Sequence, residues 1–237
     1  MDLELVFIMD YLGNNELHAI WLSVKVAFVS LIFLIPIGLL ISHLLSRKEF
    51  YGRSFLDALV HLPLVLPPVV TGYFLLILFG RNGPIGKLFE YLFNFSFAFQ
   101  WTGAVLAAFF MSLPLMVRSL RLSQDLINPK LEQVAGTLGA SPIRVYLTIT
   151  VPLMLPGLVT GSILSFAKAM GEFGATITFV SNIPGRTQTI PSSIYSNLQV
   201  PGAETVVIYL VLVSATISIM SLLFSDWITK KISERIG

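Results

Sequence analysis

Cysteine is absent from all 237 residues, which excludes disulfides, thiolate metal ligands and a Cys nucleophile. Charge is scarce too. Asp, Glu, Lys and Arg make up 12% of the chain, against about 25% in soluble domains, so an ordinary globular domain is excluded. No Lys/Arg-rich tract occurs, and nucleic acid is not an expected partner. No Gly-x-x-x-x-Gly-Lys-Ser/Thr phosphate loop is present, so the chain cannot supply ATP hydrolysis itself. The absence of His-Glu-x-x-His, Gly-x-Ser-x-Gly and a pair of intramembrane acids argues against an intramembrane enzyme. His18, His43 and His61 are scattered and are assigned no metal.

What the chain has in abundance is oil. Hydrophobic residues make up 55%, the mean hydropathy is +0.82, and the charges cluster between long uncharged runs. That pattern fits lipid as the main solvent. The start Met1-Asp2-Leu3-Glu4 lacks a positive n-region, so the first span is expected to act as an uncleaved insertion signal. Leu3 to Leu12 is too short and too acidic to cross, and an interfacial helix is expected there.

A crossing helix needs roughly 20 mostly apolar residues. Five such stretches are expected: Ala19 to Leu45, Phe55 to Phe79, Trp101 to Ser123, Val151 to Val180 and Thr205 to Ser225. The fold class expected is an all-α integral membrane protein forming a single transmembrane domain over 1–237. The connecting segments alternate in charge. Arg47, Lys48, Arg53, Arg118, Arg121, Lys130, Arg144, Lys230, Lys231 and Arg235 fall on one side, and Arg81, Lys87 and Arg186 on the other. The richer side is cytoplasmic, which puts the acidic N-terminus outside and the C-terminus inside. Lys25 sits near the outer end of its span and is expected to snorkel.

Pro36, Pro63, Pro67, Pro68, Pro114, Pro152 and Pro156 fall in or beside spans. Proline removes a helical hydrogen bond, so the bundle either bends at these points or carries them as tolerated kinks. Residues Leu62 to Gly72 match Val151 to Gly161 at seven of eleven positions. The two are equivalent kinked entrances to one pathway, or a coincidence of apolar sequence. Phe93, Phe95, Phe97 and Phe99 alternate before Trp101 and suggest an extended segment at the outer interface, as an aromatic belt or as part of a substrate route.

The most informative stretch is the polar interruption from Asn128 to Pro152. Asn128 before Pro129, and Ser141 before Pro142, match the N-cap and first-turn preferences of two short helices. Leu131, Val134, Ala135 and Leu138 form one apolar stripe, and Gly139 suits the position after a helix end. Ala135, Gly136 and Gly139 allow close approach of another backbone. Two capped helices between spans present a rigid knob to something outside the bilayer.

Gly139, nine residues, Ile149, one residue, then Val151-Pro152 resembles the cytoplasmic loop of ABC-importer permeases, whose form is Glu-Ala-Ala, three residues, Gly, nine residues, Ile, one residue, Leu-Pro. In register, Glu-Ala-Ala falls on Gln133-Val134-Ala135, with the acid one position early at Glu132. Gly171-Glu172-Phe173-Gly174-Ala175-Thr176, and His61 to Val70, resemble molybdate-type permeases, and the likeness runs over about 15–232. The resemblance implies a type I permease fold with a coupling loop at 128–147, docked by Glu132, Gln133, Ala135, Gly139, Ser141 and Arg144 into a cytoplasmic ATPase. It also implies a homodimer, two ATPase subunits and an external binding protein that delivers molybdate or tungstate. The setting is the bacterial inner membrane, and ATP and Mg stay on the partner. Sulfate or thiosulfate is the alternative cargo, and an independent channel or secondary transporter the alternative class.

Lys168 and Glu172 lie within a span at i, i+4 and share a helix face. Intramembrane charges are costly, and are paired or functional. They are an ion pair fixing a helix contact, or Lys168 lends a positive potential to a passing dianion. Ser165, Lys168, Gly171, Glu172, Gly174 and Thr176 are the candidate path and gate. The hydroxyls of Ser162, Ser165, Thr176 and Thr178 either offer weak shared contacts to the anion or bond back to helix carbonyls.

Overall fold

The computed structural model describes residues 13–236. It is helical throughout, with no strand among the described residues. The interfacial helix expected at Leu3 to Leu12 lies outside the described residues. In chain order the helices are α1 (Asn14–Arg47), α2 (Arg53–Val65), α3 (Pro68–Phe79), α4 (Pro84–Phe93), α5 (Trp101–Asp125) and α6 (Pro129–Thr137). They are followed by α7 (Pro142–Leu153), α8 (Leu155–Met170), α9 (Gly174–Val180), α10 (Ile190–Asn197) and α11 (Glu204–Ile236). A π turn occupies Tyr146–Thr150 within α7.

Among the described residues three helices are long and apolar enough to cross a membrane, or up to five if each bent pair counts as one span. The bent pairs are α2 with α3, at 120°, and α7 with α8, at 70°. Two expected spans are therefore not continuous helices. Phe55 to Phe79 folds back on itself, and Val151 to Val180 breaks twice, at Met154 and at Gly171-Glu172-Phe173. Proline chemistry explains which sites break. Pro36 and Pro114 each sit inside an unbroken helix. At Leu66-Pro67-Pro68 two donors are lost in succession, and a residue before proline is pushed to extended geometry. Leu66 and Pro67 accordingly have ψ of 145° and 134°. The two echo segments both contain a break, and Val60 and Met154 beside them join one buried cluster with Leu34, Met116 and Leu120.

Helix α5 is the hub. Of its most apolar stretch 72% is buried, against 28% for α1 and 6% for α11. Small side chains allow this, since helices in lipid associate by close packing rather than by expulsion of water. Gly103, Ala104, Ala107, Ala108 and Ser112 of α5 are all buried. Ser112 and Ser165 cross-donate to each other's carbonyls at 3.1 and 3.4 Å, stitching α5 to α8. At the end of α5 near the knob, Arg121 Nη1 donates to Asp57 Oδ1 at 3.1 Å, and His61 Nδ1 lies 3.2 Å from the same oxygen. This ties α2 to α5 just before the 120° bend.

Helix α4 is a departure from the sequence reading, which has an extended aromatic segment starting at Phe93. Gly83-Pro84 starts the helix, and Asn94, at φ 50°, ends it in the left-handed cap geometry. Only the residues from 94 to 100 lie outside a helix. Phe97 turns inward against Phe79, Phe89 and Phe95, with ring centroids 5.9, 5.0 and 4.9 Å away.

A close helix contact joins α3 to α9. A Cβ on Gly174 would come within 2.6 Å of Pro68 Cβ, and one on Gly72 within 2.6 Å of the Ala175 carbonyl. Overpacking of this kind costs about 1–3 kcal/mol. Gly174→Val and Gly72→Val are each expected to lower the thermal unfolding midpoint of detergent-purified protein, whereas Gly136→Ala, which meets open space, leaves it unchanged.

Candidate functional site: a clamped knob and a buried ion pair

Two local constructions stand out, one at each end of the charge map. The first is the knob formed by α6 and the start of α7. Its caps form as the sequence indicates. Asn128 Oδ1 accepts from the Lys130 amide at 3.0 Å, and Ser141 Oγ from the Arg144 amide at 3.4 Å. Pro129 and Pro142 occupy first-turn positions, and Gly139 takes φ +87°, open to a glycine at no steric cost.

No residue of α6 is buried. Leu131, Val134, Leu138 and Ile143 are exposed, Leu138 at 83%. The stripe seen in sequence thus divides: these point outward, and only Ala135 turns half inward. Gln133, Gly139, Ser141 and Arg144 are also exposed. A row of apolar side chains on a capped, projecting helix pair marks an interaction surface.

Glu132 faces the other way. Arg47 Nε, at the end of α1, donates to Glu132 Oε2 at 3.1 Å, and Thr150 Oγ1 donates to Glu132 Oε1 at 2.9 Å. The same guanidinium donates through Nη2 to the carbonyls of Gln124 and Ile127, each at 3.0 Å. A cation there also suits the negative end of the α5 dipole. Tyr146 OH adds a bond to the Leu39 carbonyl at 2.9 Å. A cavity of about 430 Å³, lined by His43, Arg47, Lys48, Gln133 and Tyr146 among others, opens between the knob and α1. The Arg47–Glu132–Thr150 clamp bridges that gap. Hydrogen bonds to charged groups contribute about 1.5–3 kcal/mol each, enough to set the knob's position.

The second construction is Lys168 with Glu172. Lys168 Nζ donates to Glu172 Oε2 at 2.8 Å, and the carboxylate is 1% exposed. Glu172 Oε1 also accepts from the Ala175 amide at 3.0 Å, capping the first turn of α9. The pair therefore holds α8 and α9 together across Gly171-Glu172-Phe173. The structure brings Lys168, Gly171, Glu172 and Gly174 into one joint. Thr176 is buried on α9, and Ser165 lies wholly inside the α5–α8 contact. Thr178 Oγ1 bonds back to the Gly174 carbonyl at 2.9 Å.

Arg47 and Thr150 were missed in sequence. Arg47 counts there only as an interfacial positive charge, and Thr150 lies eighteen residues from the acid it meets. The one available signal was Glu132 itself, displaced by one position and so rotated by about 100° around its helix.

A membrane-embedded helical bundle with a projecting, capped helix pair is the class these features define. Residues 34–234 match the family described as binding-protein-dependent transport system inner membrane component. The chain belongs to that family. It is 52% identical over 222 residues to the molybdenum transport system permease protein ModB of Haemophilus influenzae, covering 94% of this chain and 97% of that one. The ModB protein of Escherichia coli K12 is 50% identical over 226 residues, with 95% and 99% covered. A probable sulfate transport system permease protein of Chlorella vulgaris is 38% identical over 178 residues, with 75% and 66% covered. The fold also resembles that of a bacterial alginate ABC transporter in complex with a pentasaccharide-bound periplasmic protein. There the TM-score is 0.74 at 17% identity, with 95% of this chain and 82% of that one covered. The inward-facing MetNI methionine ABC transporter gives a TM-score of 0.70 at 15% identity, with 98% and 99% covered.

Removing one partner of a fully buried ion pair costs about 3–5 kcal/mol because the other charge stays behind, and Lys168, 32% exposed beside a buried Glu172, stands below that limit. Lys168→Met is therefore expected to lower the unfolding midpoint in a detergent melt. The double change Lys168→Met with Glu172→Gln is expected to recover most of that loss, since an amide oxygen still accepts from Ala175.

Proposed function

We propose that this chain is the membrane subunit of an ATP-driven importer of molybdate, moved by a cytoplasmic ATPase that grips the knob. The carrying observation is the division of α6 into two faces, an exposed apolar row of Leu131, Val134 and Leu138 and a clamped acid, Glu132. The outer row docks in the ATPase together with Gln133, Gly139, Ser141 and Arg144. Glu132 passes the ATPase's motion to the ends of α1 and α5 and to the π turn. The relatives described as molybdenum transport permeases support the cargo. Tungstate shares its tetrahedral dianion chemistry. The sulfate permease relative favours sulfate as the second reading.

The arrangement in the membrane follows from charge and packing. In our reading each bent pair counts as one crossing, which gives five, and the excess of Lys and Arg on the knob's side supports a cytoplasmic knob, an outer N-terminus and an inner C-terminus. The whole of 1–237 acts as one permease domain of the bacterial inner membrane. Helix α11, only 6% buried along its apolar stretch, leaves surface for a second copy, and a homodimer encloses the path. An external binding protein delivers the anion, and two ATPase subunits work from the cytoplasm. In the path, Lys168 is neutralised by Glu172, so a passing dianion meets no deep well that would stall its release. Gly171, Glu172 and Gly174, at the break between α8 and α9, with Thr176 beside them, form the gate.

Leu138→Asp leaves the fold intact, because nothing packs on that side chain, and is expected to abolish co-purification of the ATPase. Arg47→Ala keeps co-purification but is expected to cut molybdate uptake by tenfold or more in whole cells, since the handle is then gripped but unclamped. ATPase recovery unchanged in Leu138→Asp refutes the docking face. Uptake of labelled molybdate that excess sulfate abolishes would favour the sulfate reading.

A further inference from the structure

The aromatic segment before Trp101 has no part in docking or in the gate, yet it lines a strongly apolar cavity. That cavity, about 500 Å³, is bounded by Val29, Phe33, Ile37, Phe95, Phe97 and Val105 among others. It opens toward lipid, with Phe33 and Ile37 exposed on α1. Trp101 forms part of its wall and also part of the wall of a second, smaller cavity of about 190 Å³. The smaller one is cationic, with His18, Lys25, Gln100 and Arg186 beside Trp21 and Leu22 and, among the described residues, no carboxylate. Lys25 Nζ rests 3.7 Å from the Trp101 ring centroid. Among the described residues neither Lys25 nor Arg186 takes part in an ion pair.

Depth supports reading the two cavities as one site. Lys25 and Arg47 are 22 residues apart on one helix, or about 33 Å, close to the ~30 Å hydrocarbon thickness. Lys25 therefore lies at the interface opposite the clamp, where Trp also concentrates. From Lys25 the i, i+4 ridge of α1 runs through Val29 and Phe33 to Ile37, about 18 Å along the axis. A single leaflet is about 15 Å deep. The geometry thus offers a charged pocket at headgroup level and, on the other side of the shared Trp101 wall, an apolar slot as long as one leaflet.

We propose that this is a binding site for one anionic phospholipid of the leaflet opposite the knob. Lys25 and Arg186 hold the phosphate, and an acyl chain lies in the slot between α1, α5 and the 95–97 segment. Lys25, packed on Trp101 rather than reaching freely into water, is fixed as a receptor for that headgroup. A free oxyanion makes no use of the slot, whereas an amphiphile uses both parts.

Native mass spectrometry of the full-length chain tests this, with phosphatidylglycerol and phosphatidylcholine added in equal amounts. Wild type is expected to retain phosphatidylglycerol over phosphatidylcholine by roughly tenfold, the scale set by two cations near a headgroup. Lys25→Gln with Arg186→Gln is expected to bring the ratio near one. Arg81→Gln with Lys87→Gln, two exposed cations outside the pocket, leaves it unchanged. Val29→Trp, which fills the slot and keeps the charges, is expected to reduce retention of both lipids. Equal retention of the two lipids by wild type, or an unchanged ratio in the Lys25/Arg186 variant, overturns the proposal. So does displacement of phosphatidylglycerol by millimolar molybdate, which would make the pocket a free-anion site. None of these readouts depends on transport or on the ATPase.

Discussion

One guanidinium holds the working end of the molecule together. Arg47 closes the end of α5 by donating through Nη2 to the carbonyls of Gln124 and of Ile127 just past it, and binds the only acid of α6 through Nε. Glu132 is saturated in turn by Thr150. The end of the first span and the π turn meet at one carboxylate, and the end of the central helix joins them through the Arg47 guanidinium. Without that joint the knob would be a loop beside a cavity. With it, the knob is continuous with two spans. A planar fork suits the task, since lysine offers no matching set of fixed donors.

The rest of the bundle is built to transmit or absorb motion at defined places. Helix α5 is rigid and deeply packed because its small residues let α1 and α8 come close. The bundle's helices are interrupted at three breaks: the double proline between α2 and α3, the bend at Met154 and the glycine-flanked joint at Glu172. Each break has a local cause, and each has a nearby restraint. Asp57 with Arg121 and His61 restrains the first, and Lys168 with the Ala175 amide restrains the last. Breaks of this kind survive in a membrane only where protein satisfies the freed polar groups.

Much of this was legible in the sequence, for physical reasons. The caps at Asn128 and Ser141, the turn at Gly139 and the Lys168–Glu172 pair are local signals, fixed by residues within a few positions of each other. The long apolar stretches marked α1, α5 and α11 because length in lipid is a one-dimensional property. Three features were not legible. The 120° reversal depends on what α3 packs against, and the sequence around Pro67 fits a kink equally well. Helix α4 was hidden by its aromatic content, although Gly83-Pro84 and Asn94 carried its boundaries. The inward turn of Glu132 required knowing that Arg47 and Thr150 lie on the same side of α6, which no spacing reveals.

The central claim is that the knob and the ends of α1 and α5 beside it move as one body. Spin labels at Lys130, exposed on the knob outside the docking row, and at Lys48 just past α1 measure this directly in the assembled transporter, by pulsed dipolar spectroscopy with and without nucleotide. The account predicts that the distance between these labels within one chain stays fixed while the Lys130–Lys130 distance between copies changes. A within-chain distance that shifts as much as the between-copy distance would contradict it.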